Sequence, residues 1–172
     1  MRDKISEDRL NQLHPLVRAK FKAFVEECES TLNITLRVTE GLRTIEYQNS
    51  LYAQGRTKPG PIVTNARGGS SYHNYGLAID VALLINNGTK IDWGFDYRKL
   101  RTIYPKYGLQ WGLDWDKDGK TRAEGDSASD EPIADAPHYQ YTFGNPSNTY
   151  YKTLYKRYLE KNFIPGNTYV NI

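Results

Sequence analysis

Two histidines and two aspartates stand where a divalent cation and a base beside it could be held. His73 and Asp80 lie seven residues apart in Ser71-Tyr72-His73-Asn74-Tyr75-Gly76-Leu77-Ala78-Ile79-Asp80, and His138 closes Asp135-Ala136-Pro137-His138. Imidazole and carboxylate are good ligands for divalent zinc. Two histidines and one carboxylate leave a fourth tetrahedral position for water, the open geometry of a catalytic site as opposed to a closed structural one. Asp135, three residues before His138, is the natural second carboxylate, suited to taking a proton from that water.

Local elements must deliver these groups. After His73 the chain turns apolar and β-prone through Leu77, Ile79 and Val81. That pattern predicts a loop carrying His73, a bend at Gly76 and a strand carrying Asp80. Pro137 disfavours helix at the residue before it, so His138 is expected at the start of an extended run, Tyr139-Gln140-Tyr141-Thr142-Phe143, with period-two alternation. Upstream, Val17, Phe21, Phe24, Val25 and Cys28 mark one face of a helix over 16–30. Residues 1–14 are polar and read as a lead-in to it, with His14 an unremarkable histidine before Pro15. Ile34 to Thr39 reads as a strand, and Thr44 caps a helix reaching about Gln54, ended by Gly55. The Gly-, Pro- and Arg-rich loop 55–70 is expected to wall one side of a cleft. Asn86-Asn87-Gly88 is a hairpin turn. A helix is expected from about Asp96 to Lys106, weakened by Pro105, and a short strand over 108–112 with Trp111 in the core. The tail 147–161 reads as an amphipathic helix with Tyr151, Leu154, Tyr155, Tyr158 and Leu159 facing inward, and 163–172 as a last extended segment.

The run Ser71-x-His73-x-x-Gly76-x-Ala78-x-Asp80, followed by Asp135-x-x-His138 and preceded by Arg43 in Gly41-Leu42-Arg43-Thr44, resembles the zinc peptidases of the VanY/VanX type. That superfamily includes D-alanyl-D-alanine peptidases and the L-alanyl-D-glutamate endopeptidases of phage endolysins. The resemblance runs from about Ile34 to Phe143. It implies an α+β fold with a small, mainly antiparallel sheet, helices packed against it and the zinc site at one sheet face, as in hedgehog and D,D-peptidase domains. It implies zinc on His73, Asp80 and His138, Asp135 as general base, Arg43 holding substrate or polarising its carbonyl, and Ser71 in substrate contact. Leu42 departs from the aromatic usual there. Read without the resemblance, Arg43 is a surface arginine pairing with Glu40 or Glu46, and Ser71 a loop hydroxyl bonded to backbone. Arg56, in the matching Gln54-Gly55-Arg56-Thr57, is either a buttress or a solvated arginine.

The whole chain, 1–172, reads as one catalytic domain without a separate wall-binding domain. A net charge of +3 with dispersed Lys and Arg is no nucleic-acid signature. The single Cys28 rules out an internal disulfide and reads as a buried structural thiol. No apolar leader precedes the first helix, and no run approaches the ~20 apolar residues of a membrane span. The expectation is a protein made in the host cytoplasm that reaches the wall after holin-type release or lysis, acting as a monomer. Asp114-Trp115-Asp116-Lys117-Asp118-Gly119 has the first half of a calcium loop, with Asp114, Asp116 and Asp118 as ligands, but Gly125 stands where its bidentate Glu belongs. The activity implied is hydrolysis of the L-alanyl-D-glutamate bond of peptidoglycan stem peptides. The alternatives are a D-alanyl-D-alanine carboxypeptidase or dipeptidase, and a non-catalytic relative that binds wall peptides.

Overall fold

A computed structural model describes residues 3–115, 120–121, 124, 134–145 and 149–172. Among these described residues, four α-helices and five strands follow in the order α1 (Lys4–Asn11), α2 (Pro15–Leu32), β1 (Leu36–Glu40), α3 (Ile45–Ala53), β2 (Ala78–Ile85), β3 (Lys90–Asp92), β4 (Leu109–Gly112), β5 (Asp135–Tyr141) and α4 (Tyr150–Leu159). The sheet runs β1-β2-β5-β4, and β3 pairs with the far end of β2. The pairings among these five strands are antiparallel, in line with the mainly antiparallel sheet expected.

Side chains alternate across the strands, so the sheet has two unlike faces. Ile79, Val81, Leu109, Trp111 and Tyr139 are buried together with Val17, Phe21, Phe24 and Cys28 of α2. The Phe24 and Tyr139 rings lie 4.8 Å apart, and Trp111 stacks on Tyr139 with planes 5° apart. Trp111 is thus a core residue, its indole N–H donating to the Ala136 carbonyl at 2.8 Å. Burial pushes the Cys28 thiol up to about 12, which makes it inert as a nucleophile. The opposite face carries Asp80, His138, Gln140 and Gln110, brought together by the registers Asp80↔His138 and Gln110↔Gln140.

Three expectations are corrected. The polar lead-in contains a helix, α1, capped by Asp3. Its apolar pattern is too thin to announce it, and what holds it is the outer edge of β1. Ser6 Oγ accepts from the Val38 N–H at 2.9 Å, Arg9 donates to the Val38 carbonyl at 2.7 Å, and Glu29 of α2 accepts from Leu36 N–H at 2.8 Å. The edge strand is closed to further pairing by side chains. Ser6→Ala leaves a buried Val38 N–H without its acceptor and should cost about 1–3 kcal/mol; urea unfolding at a loss below a few tenths would refute this role.

The second correction is the helix over 96–106, which is two one-turn 3-10 helices, Tyr97–Leu100 and Tyr104–Tyr107. Pro105 has no N–H to continue an α-helical ladder and clashes with the preceding turn. Leu100, Ile103 and Tyr104 still reach the core. Third, Leu159 is 62% exposed, although Leu154 of the same helix is buried. It is the last residue of α4, just before the chain turns away at Lys161 in a left-handed conformation. Residue 147, the expected start of this helix, lies outside the described residues. Among the described residues no helix is long and apolar enough to cross a membrane.

Candidate metal centre

His73 is carried by a one-turn 3-10 helix, Tyr72–Tyr75, that ends at Gly76 in the left-handed region at φ 67°. A Cβ on Gly76 would come within 2.7 Å of the His14 backbone nitrogen. Glycine is required there for conformation and for space. The chain then enters β2 and presents Asp80 three residues in. Antiparallel pairing sets His138 of β5 directly opposite, on the same face.

The three side chains converge on one point. His73 Nε2 is 3.2 Å from Asp80 Oδ1 and 3.2 Å from His138 Nδ1, and His138 Nδ1 is 3.0 Å from Asp80 Oδ1. Tetrahedral ligands on bonds of about 2.05 Å would stand about 3.3 Å apart, close to this triangle. The outer ring nitrogens explain the arrangement. His73 Nδ1 lies 2.8 Å from the Gly41 carbonyl, which can only accept, so that nitrogen carries the proton. His138 Nε2 lies 3.0 Å from Gln140 Oε1 and donates to it. Both neutral imidazoles therefore turn lone pairs toward the carboxylate, the donor set a divalent cation needs. His73 and His138 are buried and Asp80 is half-buried.

The field of the site calls for positive charge. Burial tends to raise the Asp80 carboxyl, but when the facing His73 and His138 rings are protonated their charges and hydrogen bonds outweigh it and hold the group well below the ordinary value. Burial tends to lower His138, yet the Asp80 carboxylate, helped by Asp135 and Gln140, raises it. A proton or a metal ion answers the same demand.

Asp135 opens β5 opposite Gly112, at a bulge between Trp111 and Gly112. A Cβ on Gly112 would lie 2.2 Å from the Asp135 carbonyl oxygen, so only glycine lets the two backbones approach. Burial, with the Asp80 charge adding to it, raises the Asp135 carboxyl against the opposing pull of His138, His73 and Arg43. A carboxylate that binds a proton more readily than usual is suited to general-base work.

Arg43 reaches the edge of the site from the β1–α3 junction. Its Nη2 lies 3.3 Å from Glu40 Oε2 and 3.9 Å from Asp80 Oδ2, while Nη1 donates to Gln48 Oε1 at 2.9 Å. Its Nε is buried with no hydrogen-bond partner among the described residues. The pairing with Glu40 and the place beside Asp80 are both real, so the surface and site readings of Arg43 are not exclusive. Ser71 Oγ accepts from the His73 N–H at 3.3 Å, bracing the ligand's backbone.

Loop 55–70 is tied beside Arg43. Gln48 Nε2 donates to the Ala66 carbonyl at 2.8 Å, and Asn74 joins the Gly69 N–H to the Arg43 carbonyl. Arg56, exposed, ties the loop to the end of α3 through the Tyr52 and Thr64 carbonyls, with its guanidinium 4.0 Å from the Tyr52 ring centroid. His14 is not part of the cluster: it caps α2 and lies with Nε2 3.0 Å from the Val170 carbonyl, tying down the C-terminal segment. Asp114 is buried and accepts from the Tyr104 hydroxyl, while Asp116 and Asp118 lie outside the described residues. Sequence reasoning passed over Gly41, Gln110, Gly112 and Gln140. The period-two alternation after His138 is the signal that could have found Gln140, two residues on and on the same face.

Comparisons with known proteins give the family. The family described as VanY, D-alanyl-D-alanine carboxypeptidase, matches residues 10–144. The peptidoglycan L-alanyl-D-glutamate endopeptidase CwlK of Bacillus subtilis (strain 168) is 42% identical over 115 residues, covering 61% of this chain and 68% of that protein. The crystal structure of the Serratia marcescens L-Ala D-Glu endopeptidase ChiX resembles this fold with a TM-score of 0.53 at 22% identity, covering 86% of this chain and 95% of that one. A looser likeness, TM-score 0.46 at 19% identity over 84% of this chain and 78% of the other, is to a Zn(II) complex of a mutant vancomycin resistance D,D-pentapeptidase VanY.

Proposed function

The chain belongs to the VanY, D-alanyl-D-alanine carboxypeptidase family of peptidases, and from that premise we propose that it is a zinc endopeptidase cutting the L-alanyl-D-glutamate bond of peptidoglycan stem peptides. The observation that carries the metal-dependent chemistry is the triangle of His73 Nε2, Asp80 Oδ1 and His138 Nδ1, with 3.0–3.2 Å sides and lone pairs turned inward. The choice of bond rests on the similarity to CwlK.

In this reading His73, Asp80 and His138 would hold zinc, which would supply Lewis acidity there, to polarise a carbonyl and make water more acidic. The chain's own groups do the rest. Asp135, whose carboxyl feels the charges of His138, Asp80 and His73, takes the proton from the attacking water and passes it to the leaving amine. Arg43 stabilises negative charge developing on the scissile carbonyl oxygen. Loop 55–70, held by Gln48 and Asn74, lines the approach. The proposal keeps the endolysin-type role, with access to the wall after holin-type release or lysis; co-expression with a holin that leaves host cells intact would remove it.

Mass spectrometry of purified peptidoglycan, digested by the zinc-loaded protein with His138→Ala as control, tests the activity. Stem peptides that begin at D-glutamate, leaving L-alanine on the glycan, are the expected product. Loss of a terminal D-alanine alone would move the specificity to a carboxypeptidase, the reading favoured by the family's description. No cleavage by folded, zinc-bound protein would leave a wall-peptide-binding relative.

A further inference from the structure

Beyond the ligands, a row of buried amides leads away from His138. His138 Nε2 stands 3.0 Å from Gln140 Oε1, Gln140 Nε2 donates to Gln110 Oε1 at 3.0 Å, and Gln110 Nε2 donates to the Trp115 carbonyl at 2.7 Å. His138, Gln140 and Gln110 are 7%, 3% and 2% exposed, so bulk water does not compete for these bonds. The row begins on a strand pair, Gln110↔Gln140, and ends where the chain leaves β4.

The row has a direction, and its far end sets it. A carbonyl oxygen only accepts, so Gln110 must turn its NH2 toward Trp115 and its oxygen toward Gln140. Gln140 must then offer NH2 to Gln110 and oxygen to His138. His138 is left to donate from Nε2, which frees the Nδ1 lone pair that faces Asp80 and His73. Were Gln140 reversed, its NH2 would meet Nε2 and the neutral ring would carry its proton on Nδ1, the atom that faces the metal position. A buried donor set against a donor costs about 1–3 kcal/mol, so the orientations are coupled.

We propose that Gln110 and Gln140 are positioning residues that fix His138 in its Nδ1-ligating tautomer, Gln110 acting through Gln140 without touching any ligand. The proposal rests on the zinc-site reading for its effect on affinity, but not for its effect on the tautomer. The Trp115 carbonyl is the anchor, and the Trp115 ring also lies 5.7 Å from the His138 ring, so this one residue meets both ends of the row.

The test compares Gln110→Leu with Gln110→Glu. Leucine removes the acceptor that orients Gln140. Glutamate, which burial and the facing Trp115 carbonyl keep protonated, offers an oxygen that accepts from Gln140 and an O–H that donates to the Trp115 carbonyl. Zinc affinity is measured by chelator competition, and the His138 tautomer by nitrogen NMR on metal-free protein at a pH where the ring is neutral. The expected result is about a tenfold loss of zinc affinity in Gln110→Leu with a shift toward the Nδ1–H tautomer, and affinity and tautomer near wild type in Gln110→Glu. If Gln110 only fills space, the buried glutamate is as harmful as leucine or worse, and that order overturns the proposal. If leucine prevents folding, Gln140→Leu against Gln140→Glu puts the same question one link nearer the ligand. Wild-type protein that fails to bind zinc would sink the zinc-site reading, and the tautomer of the metal-free variants would still decide the relay.

Discussion

Asparagine in place of Asp135 should lower turnover of peptidoglycan by about 10²- to 10⁴-fold, the usual worth of a general base, and should leave zinc content unchanged. The side chain does not belong to the metal-facing triangle, so bound metal should survive its loss. The same substitution has an opposite effect on stability. Burial raises the Asp135 carboxyl above its unfolded value, so the folded state prefers the protonated form. This group's contribution to stability is fully present below the unfolded pKa of about 3.9 and is lost as pH rises through the raised folded value. At neutral pH the ionised carboxylate is therefore a cost, which asparagine removes. Metal-free Asp135→Asn should melt above metal-free wild type at pH 7, with the gap closing in acid. Loss of activity with a lower melting point at every pH would point to a structural role; retained turnover would place the base elsewhere.

Zinc removal gives the second large effect. Ligand binding to the folded state alone adds about 2.7 kcal/mol at a hundredfold excess over Kd, which for a chain of this size is roughly 5–10 °C in Tm. A chelator should abolish hydrolysis and lower Tm by that much, with zinc restoring both. His73→Ala should lose at least a thousandfold in activity and most of the zinc-dependent rise in Tm, because a triangle of three lone pairs becomes a pair. The comparison is between loaded and stripped forms of each protein, so destabilisation from orphaning the Gly41 carbonyl cancels. A full zinc shift in the variant would mean that the ion binds elsewhere.

Much of the site is legible because its chemistry lies in residue types at short spacings. His73, Gly76 and Asp80 fit a loop, a bend and a strand, and the fold builds them so with a single 3-10 turn for the loop. Pro137 keeps the His138 segment extended, and β5 runs through it. Thr44 caps α3, its Oγ accepting from the Tyr47 N–H as its residue type suggests. Where tertiary contacts overrule local pattern, reading fails. Ser6, Arg9 and Glu29 are polar, and nothing nearby in the chain says that they close the edge of β1. The segment 96–106 has helical periodicity, but Pro105 breaks it while core packing keeps the same side chains inward.

The sequence by itself determined the donor types, the turn at Gly76, the strand periods and the apolar face of α2, because each depends on residues within a few positions of one another. The tertiary structure alone decided that Asp80 meets His138 across 58 residues, that Gly112 lets Asp135 approach, and that Gln110 lines up behind Gln140. Those are consequences of strand register. A slip of one residue would send every one of these side chains to the opposite face, and what holds the register is the packing of Phe24, Trp111 and Tyr139 on the other side of the sheet.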